Sequence, residues 1–91
     1  MNIVITGASK GIGKALAVKF AKQENNIFIC ARHENELAET AKEIKEKDNA
    51  VVAYFAADLS EKTSAGKLAG WLSAQNITPD ILINNAGIGS S

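Results

Sequence analysis

One cysteine, one proline, one histidine, one tyrosine and one tryptophan are spread over 91 residues. Cys30 has no second thiol in the chain, so no internal disulfide can form, and a reducing, cytoplasmic setting is the expected one. It lies in the apolar run Ile27-Phe28-Ile29-Cys30, where it is expected to pack as a small buried hydrophobe. One cysteine and one histidine give no metal-ligand cluster, and His33 is expected to be solvated at a helix start. Apolar runs of only a few residues exclude a membrane-spanning helix. The first residues carry no basic segment leading into an apolar stretch, so no secretory signal is expected. Net charge is absent as well: ten basic residues balance ten acidic ones, leaving no field to draw the chain onto nucleic acid or an anionic membrane.

What is there reads as an ordinary globular chain. Hydrophobic residues make up 46% and charged residues 22%, values typical of soluble domains. The length allows one small domain with little stability to spare. No repeat, low-complexity stretch or linker interrupts it. Four short runs rich in Ile, Val and aromatics are expected to be buried strands: Asn2–Thr6, Ile27–Ala31, Ala50–Ala56 and Ile81–Asn84. Between them lie three segments with helical spacing. The first carries Ile12, Leu16 and Phe20, with Lys14, Lys19 and Lys22 turned to solvent. The second carries Leu37, Ala41 and Ile44, with Glu43 and Lys47 spaced as an ion pair. The third carries Ala65, Leu68, Ala69 and Leu72, with Ser60 as N-cap and Glu61 in the first turn. Pro79 and Asp80 break the pattern before the last strand. Strands alternating with helices imply an α/β fold with a parallel sheet and right-handed crossovers. Periodicity does not choose the strand order; the doubly wound order 3-2-1-4 would put the first two helices on one face and the third on the other.

The strongest local signal is Thr6-Gly7-Ala8-Ser9-Lys10-Gly11-Ile12-Gly13, between the first strand and the first helix. Gly7 lets the chain turn sharply out of the strand. Gly11 lets the backbone approach a phosphate, and Gly13 lets the helix pack closely on the sheet. The helix N-terminus then offers unpaired N–H groups and a positive dipole end to an anion. A Walker A loop is excluded, because five residues separate Gly7 from Gly13 and Lys14 is followed by Ala15. The G-x-G-x-x-G fingerprint fails too, since Gly11-Ile12-Gly13 leads to Leu16.

The remaining pattern, T-G-x-x-x-G-x-G, resembles the first loop of the short-chain dehydrogenase/reductase family. Asp58-Leu59 after the third strand resembles the family's adenine-contacting pair. Asn84-Asn85-Ala86-Gly87 resembles its N-N-A-G motif. The resemblance covers the whole chain and implies a Rossmann-type doubly wound sheet, truncated before its second half. It also implies a nicotinamide dinucleotide held by Gly7, Ser9, Lys10, Gly11, Ile12, Gly13, Arg32, Asp58, Leu59, Asn84, Asn85, Ala86 and Gly87. Ala31 stands where NAD-preferring members often carry the carboxylate that receives the ribose 2′-hydroxyl. Arg32 follows it and Lys10 stands in the glycine loop, a basic pair resembling NADP(H)-preferring members. A guanidinium suits the 2′-phosphate through forked, charge-assisted bonds. NADP(H) is therefore expected over NAD(H).

The family's serine and Tyr-x-x-x-Lys pair have no counterpart. Tyr54 is the lone tyrosine, four residues before Asp58, and is expected to pack within the third strand. No catalytic residue is assigned. The resemblance places the chemistry, interconversion of a carbonyl and an alcohol by hydride transfer, beyond the chain end, so residues 1–91 form an incomplete cofactor-binding half-domain expected to be inactive alone. A stand-alone dinucleotide-binding or sensing module and a purely structural domain remain as alternatives. In a 3-2-1-4 sheet the fourth strand is an edge carrying Ile81, Leu82 and Ile83, and self-association through it is expected.

Overall fold

Strands and helices alternate along the chain in the order β1 (Asn2–Thr6), α1 (Gly11–Lys22), β2 (Asn26–Ala31), α2 (Glu34–Asp48), β3 (Val52–Ala56), α3 (Ser64–Ala74) and β4 (Ile81–Asn84). The computed structural model describes residues 1–7, 11–48, 50–58 and 63–84. All pairings are parallel, and the sheet order is β3-β2-β1-β4, the doubly wound order expected. β2 begins one residue earlier than the sequence pattern suggests and β3 two residues later.

Register turns the strand pattern into two apolar faces. Val52, Ile27, Ile3 and Ile81 form one row across the sheet, and Tyr54, Ile29, Ile5 and Ile83 the next. Side chains alternate between faces along a strand. One core therefore gathers Ile3, Ile5, Ile27 and Ile29 with Ala17 and Ala21 of α1 and Leu37, Ala41 and Ile44 of α2. The opposite core gathers Val4, Phe28 and Cys30 with Leu68 and Leu72 of α3. Trp71 closes this second core, stacking on Phe55 at 5.4 Å and meeting Phe28 edge-on at 6.4 Å. Such pairs add about 0.5–1.5 kcal/mol each beyond area burial.

The first helix corrects the expected stripe. Its buried residues are Gly13, Ala17 and Ala21, while Leu16 and Phe20 pack only along the flank and Ile12 is 69% exposed. Two stripes of spacing four overlap here, one large and one small. Seating the small stripe brings the helix axis closer to the sheet, and the larger side chains wrap the edge of the contact. Lys14 is likewise not left to solvent alone: its Nζ lies 3.0 Å from Glu43 Oε2, joining α1 to α2. In α2 the expected Leu37, Ala41 and Ile44 are buried, joined by Thr40. The Thr40 hydroxyl donates to the Glu36 carbonyl at 3.0 Å, which satisfies a polar group inside the core. Tyr54 departs from expectation too. It lies on an edge strand and is 39% exposed.

Helix ends set the loop directions. Ser60 and Glu61 lie outside the described residues; the described helix α3 starts at Ser64, with Thr63 at the N-cap and no side-chain cap hydrogen bond. Its C-terminus closes as a Schellman motif. Asn76 sits at φ 57°, its N–H donates to Ser73, and the Ile77 N–H donates to Leu72. In α1 the left-handed residue is Glu24, at φ 62°, with its N–H on the Ala21 carbonyl. The Asn25 side chain donates to the Phe20 carbonyl at 3.1 Å, replacing the backbone bond that usually completes the motif. At the opposite end of the sheet from the glycine loop, Asn2 N–H donates to Asp80 Oδ2 at 2.7 Å. The Asp80 N–H returns a bond to the Asn2 carbonyl at 2.8 Å. This clasp holds β4 in register against β1.

Glu24 carries two penalties: a left-handed backbone with a Cβ, and a negative charge at the negative end of a helix dipole. Glu24→Gly should stabilise the protein by about 0.5–1 kcal/mol, and Glu24→Val should destabilise it. Urea-denaturation midpoints check this; a lower midpoint for the glycine variant would contradict it.

Candidate functional site

Parallel strands deliver all their C-terminal ends to one edge of the sheet, and open α/β sheets bind ligands at that edge. β1 ends there at Thr6, followed by Gly7 at φ 68°, a turn an L-residue rarely makes. The Gly7 N–H donates to the Cys30 carbonyl at 2.7 Å, so the exit from β1 is anchored on β2. Cys30 itself is fully buried, and burial pushes its thiol up to about 11. That keeps it protonated near neutral pH, a packing residue and not a nucleophile.

The first turn of α1 begins at Gly11, whose φ is +65°. A Cβ built there would meet nothing within 4 Å. Backbone conformation thus demands glycine, and the space beside it belongs to no other described part of the chain. Gly13 is buried against the sheet. Between these glycines the apolar side chain of Ile12 stands uncovered, 69% exposed. The amides of this first turn have no carbonyl four residues earlier in the helix, and they form the positive end of its dipole. An anion with an apolar part suits such a surface.

Arg32 and His33 follow the end of β2 and are both exposed. Arg32 Nε lies 3.4 Å from His33 Nε2 and donates to it. The pair stands on fixed backbone. Before it, the Ala31 carbonyl accepts from the Ala57 N–H at 2.9 Å; after it, the His33 carbonyl accepts from the Leu37 N–H at 3.0 Å. His33 therefore occupies the N-cap position of α2. Asp58 lies just past β3, half-buried and engaged by a partner.

Asn84 ends β4 directly opposite Thr6 in register. The Thr6 hydroxyl donates to Asn84 Oδ1 at 3.0 Å, with the Ile83 carbonyl 3.4 Å away. This bond joins the end of β1 to the end of β4. Beside it, a groove of about 710 Å³ opens between α3 and β4, lined by Leu68, Leu72, Ile77 and Leu82 among others and reaching Thr6 and Asn84.

The structure thus gathers Gly7, Gly11, Ile12, Gly13, Arg32, Asp58 and Asn84 on the C-terminal side of the sheet. Ser9, Lys10, Leu59, Asn85, Ala86 and Gly87 lie outside the described residues. Two contacts emerge only in three dimensions: that of Thr6, the first residue of the glycine motif, with Asn84, and that of His33, exposed at the start of α2 as expected, with Arg32. Among the described residues no group of three His, Cys, Asp or Glu side chains could hold a metal. No described helix is long and apolar enough to cross a membrane.

Comparison with known proteins agrees with this geometry. The family model for short chain dehydrogenase matches residues 1–91. The chain is 34% identical over 86 residues to the NADPH-dependent pterin aldehyde reductase of Arabidopsis thaliana, covering 94% of this chain and 35% of that protein. It is 38% identical over 85 residues to a diacetyl reductase, the (S)-acetoin-forming type, of Staphylococcus epidermidis, covering 93% and 33%. Among solved structures, L-sorbose reductase from Gluconobacter frateurii, complexed with NADPH and L-sorbose, superposes with a TM-score of 0.91 at 38% identity. That match covers 98% of this chain and 34% of the reductase. The chain thus spans about a third of the length of these relatives. With a 3-2-1-4 parallel sheet, a glycine turn at the end of β1 and a family match along its whole length, the chain belongs to the short-chain dehydrogenase/reductase family.

Proposed function

We propose that residues 1–91 are the NADP(H)-binding half-domain of a short-chain oxidoreductase that interconverts a carbonyl and an alcohol. The observation that carries this reading is the juxtaposition, at neighbouring strand ends, of a glycine-lined helix N-terminus and an exposed arginine. The residues fit the cofactor: the open space at Gly11 accommodates a pyrophosphate where a Cβ would intrude, and no carboxylate stands at Ala31 to repel a 2′-phosphate. NADPH dependence in the pterin aldehyde reductase and NADPH in the L-sorbose reductase complex support the same choice.

Each residue has a role in this account. Gly7 turns the chain away from the cofactor path, and Ser9, Lys10 and Gly11 with the first amides of α1 hold the pyrophosphate. Ile12 and Gly13 shape the floor of that turn. Arg32, aided by Lys10, binds the 2′-phosphate. Asp58 and Leu59 border the adenine, and Asn84, Asn85, Ala86 and Gly87 line the cleft toward the nicotinamide. The cofactor supplies the hydride when bound. The proton-transfer groups are contributed by sequence outside residues 1–91, which alone turn over no substrate. A reducing cytoplasm suits its one buried thiol.

The same reading extends to assembly. Leu82 on β4 is 60% exposed, and the groove between α3 and β4 is apolar on several sides. Residues 1–91 in isolation should associate through this edge and groove. Size exclusion with light scattering should show dimers or larger species; a stable monomer at high concentration would contradict it.

Cofactor choice gives the decisive test of function. A hydrogen bond to a charged group contributes about 1.5–3 kcal/mol, so Arg32→Ala should weaken NADPH binding by about ten- to hundredfold. NADH binding should change little, because it has no 2′-phosphate. Calorimetric titration of the intact protein checks this, and equal weakening of both cofactors would make Arg32 a stability residue instead.

A further inference from the structure

An arginine selects a phosphate well only if its guanidinium is already in place. The free side chain has many rotamers, freedom that is lost when an anion fixes it, and prior ordering reduces that loss. Arg32 is exposed. It is also followed by Glu34, an acidic residue in the first turn of α2, which offers a swinging guanidinium another partner.

One neighbour restrains it. Arg32 Nε donates to His33 Nε2 at 3.4 Å. This contact uses the single Nε–H and leaves the terminal N–H groups, the ones that fork onto oxyanions, available. His33 is itself anchored, because its carbonyl accepts the first helical bond of α2 from Leu37, and Leu37 is fully buried in the core. The path from core to guanidinium is therefore short: Leu37 holds the His33 carbonyl, and the His33 ring accepts from Arg32 Nε.

Resting on the reading of Arg32 as the NADP(H) selector, we propose that His33 is a positioning residue for it. Its imidazole accepts from Nε and holds the guanidinium plane for the cofactor's 2′-phosphate. The role needs a hydrogen-bond acceptor at that place and no charge. It differs from an N-cap role, which would be exerted through α2 and would affect every ligand alike.

A double-mutant cycle on the intact protein tests this, with NADPH and NADH affinities measured by calorimetry and the thermal midpoint recorded as a check on folding. His33→Ala should weaken NADPH by about three- to tenfold, leaving NADH affinity and the thermal midpoint unchanged. His33→Gln, which keeps an acceptor, should recover most of the loss. In an Arg32→Ala background, His33→Ala should have no further effect, because the residue acts only through Arg32. A full loss in that background would show direct contact with the phosphate and overturn the positioning role. Equal losses for NADPH and NADH, or no loss at all, would overturn it too. A selective Arg32→Ala effect beside a silent His33→Ala would remove this inference alone. A non-selective Arg32→Ala would remove the reading on which it rests.

Discussion

The parallel pairing of β1 between β2 and β4 is the constraint on which the other features depend. Ile3, Val4 and Ile5 are all fully buried, so β1 is packed on both faces and hydrogen-bonded on both edges. Such a strand cannot slip by one residue without exchanging its two faces, and the Asn2–Asp80 clasp fixes the far end of the same register. Once β1 is set, Thr6 must meet Cys30 on one side and Asn84 on the other. The glycine turn, the arginine and the asparagine then arrive at one edge as a consequence of strand direction.

Small side chains convert that register into a usable edge. Gly13, Ala17 and Ala21 seat α1 low on the sheet, which brings its first turn close to the ends of β1 and β2. The cost is that Ile12 is left uncovered, and that exposure is the natural complement of a ligand with an apolar surface. On the other face α3 covers β1, β2 and β3 through Leu68, Leu72 and Trp71, but leaves Leu82 of β4 exposed. The apolar surface is thus complete around the centre of the sheet and incomplete at β4.

Much of this was legible in the sequence, for physical reasons. Runs rich in Ile, Val and aromatics, flanked by helical spacing, marked the four strands, and Leu37, Ala41 and Ile44 marked the buried face of α2 because no second stripe competed. α1 was misread because Ile12-Leu16-Phe20 is the more hydrophobic of two interleaved stripes, whereas close packing favours the smaller one. The expected start of α3 at Ser60 and Glu61 falls outside the described residues, and the described part of the helix runs from Ser64. Tyr54 was expected to pack because strand composition does not distinguish an edge strand from a central one. In the candidate site, Gly7, Gly11 and Gly13 stand out by their spacing between β1 and α1, and Arg32 and Asn84 by the resemblance to the family; the structure brings all five to one end of the sheet. The Thr6–Asn84 and Arg32–His33 contacts were not legible in the sequence, since the first spans 78 residues and the second depends on side-chain rotamers.

Hydrogen–deuterium exchange of the intact protein, followed residue by residue with and without saturating NADPH, tests the central claim most directly. NADPH should slow exchange in the first turn of α1 and at Arg32 and His33, leaving Asn2, Asn26 and Asp80 at the far end of the sheet unchanged. NADH should protect α1 but not the Arg32–His33 pair. Protection confined to the groove between α3 and β4, with the first turn of α1 and Arg32 unaffected, would contradict the account.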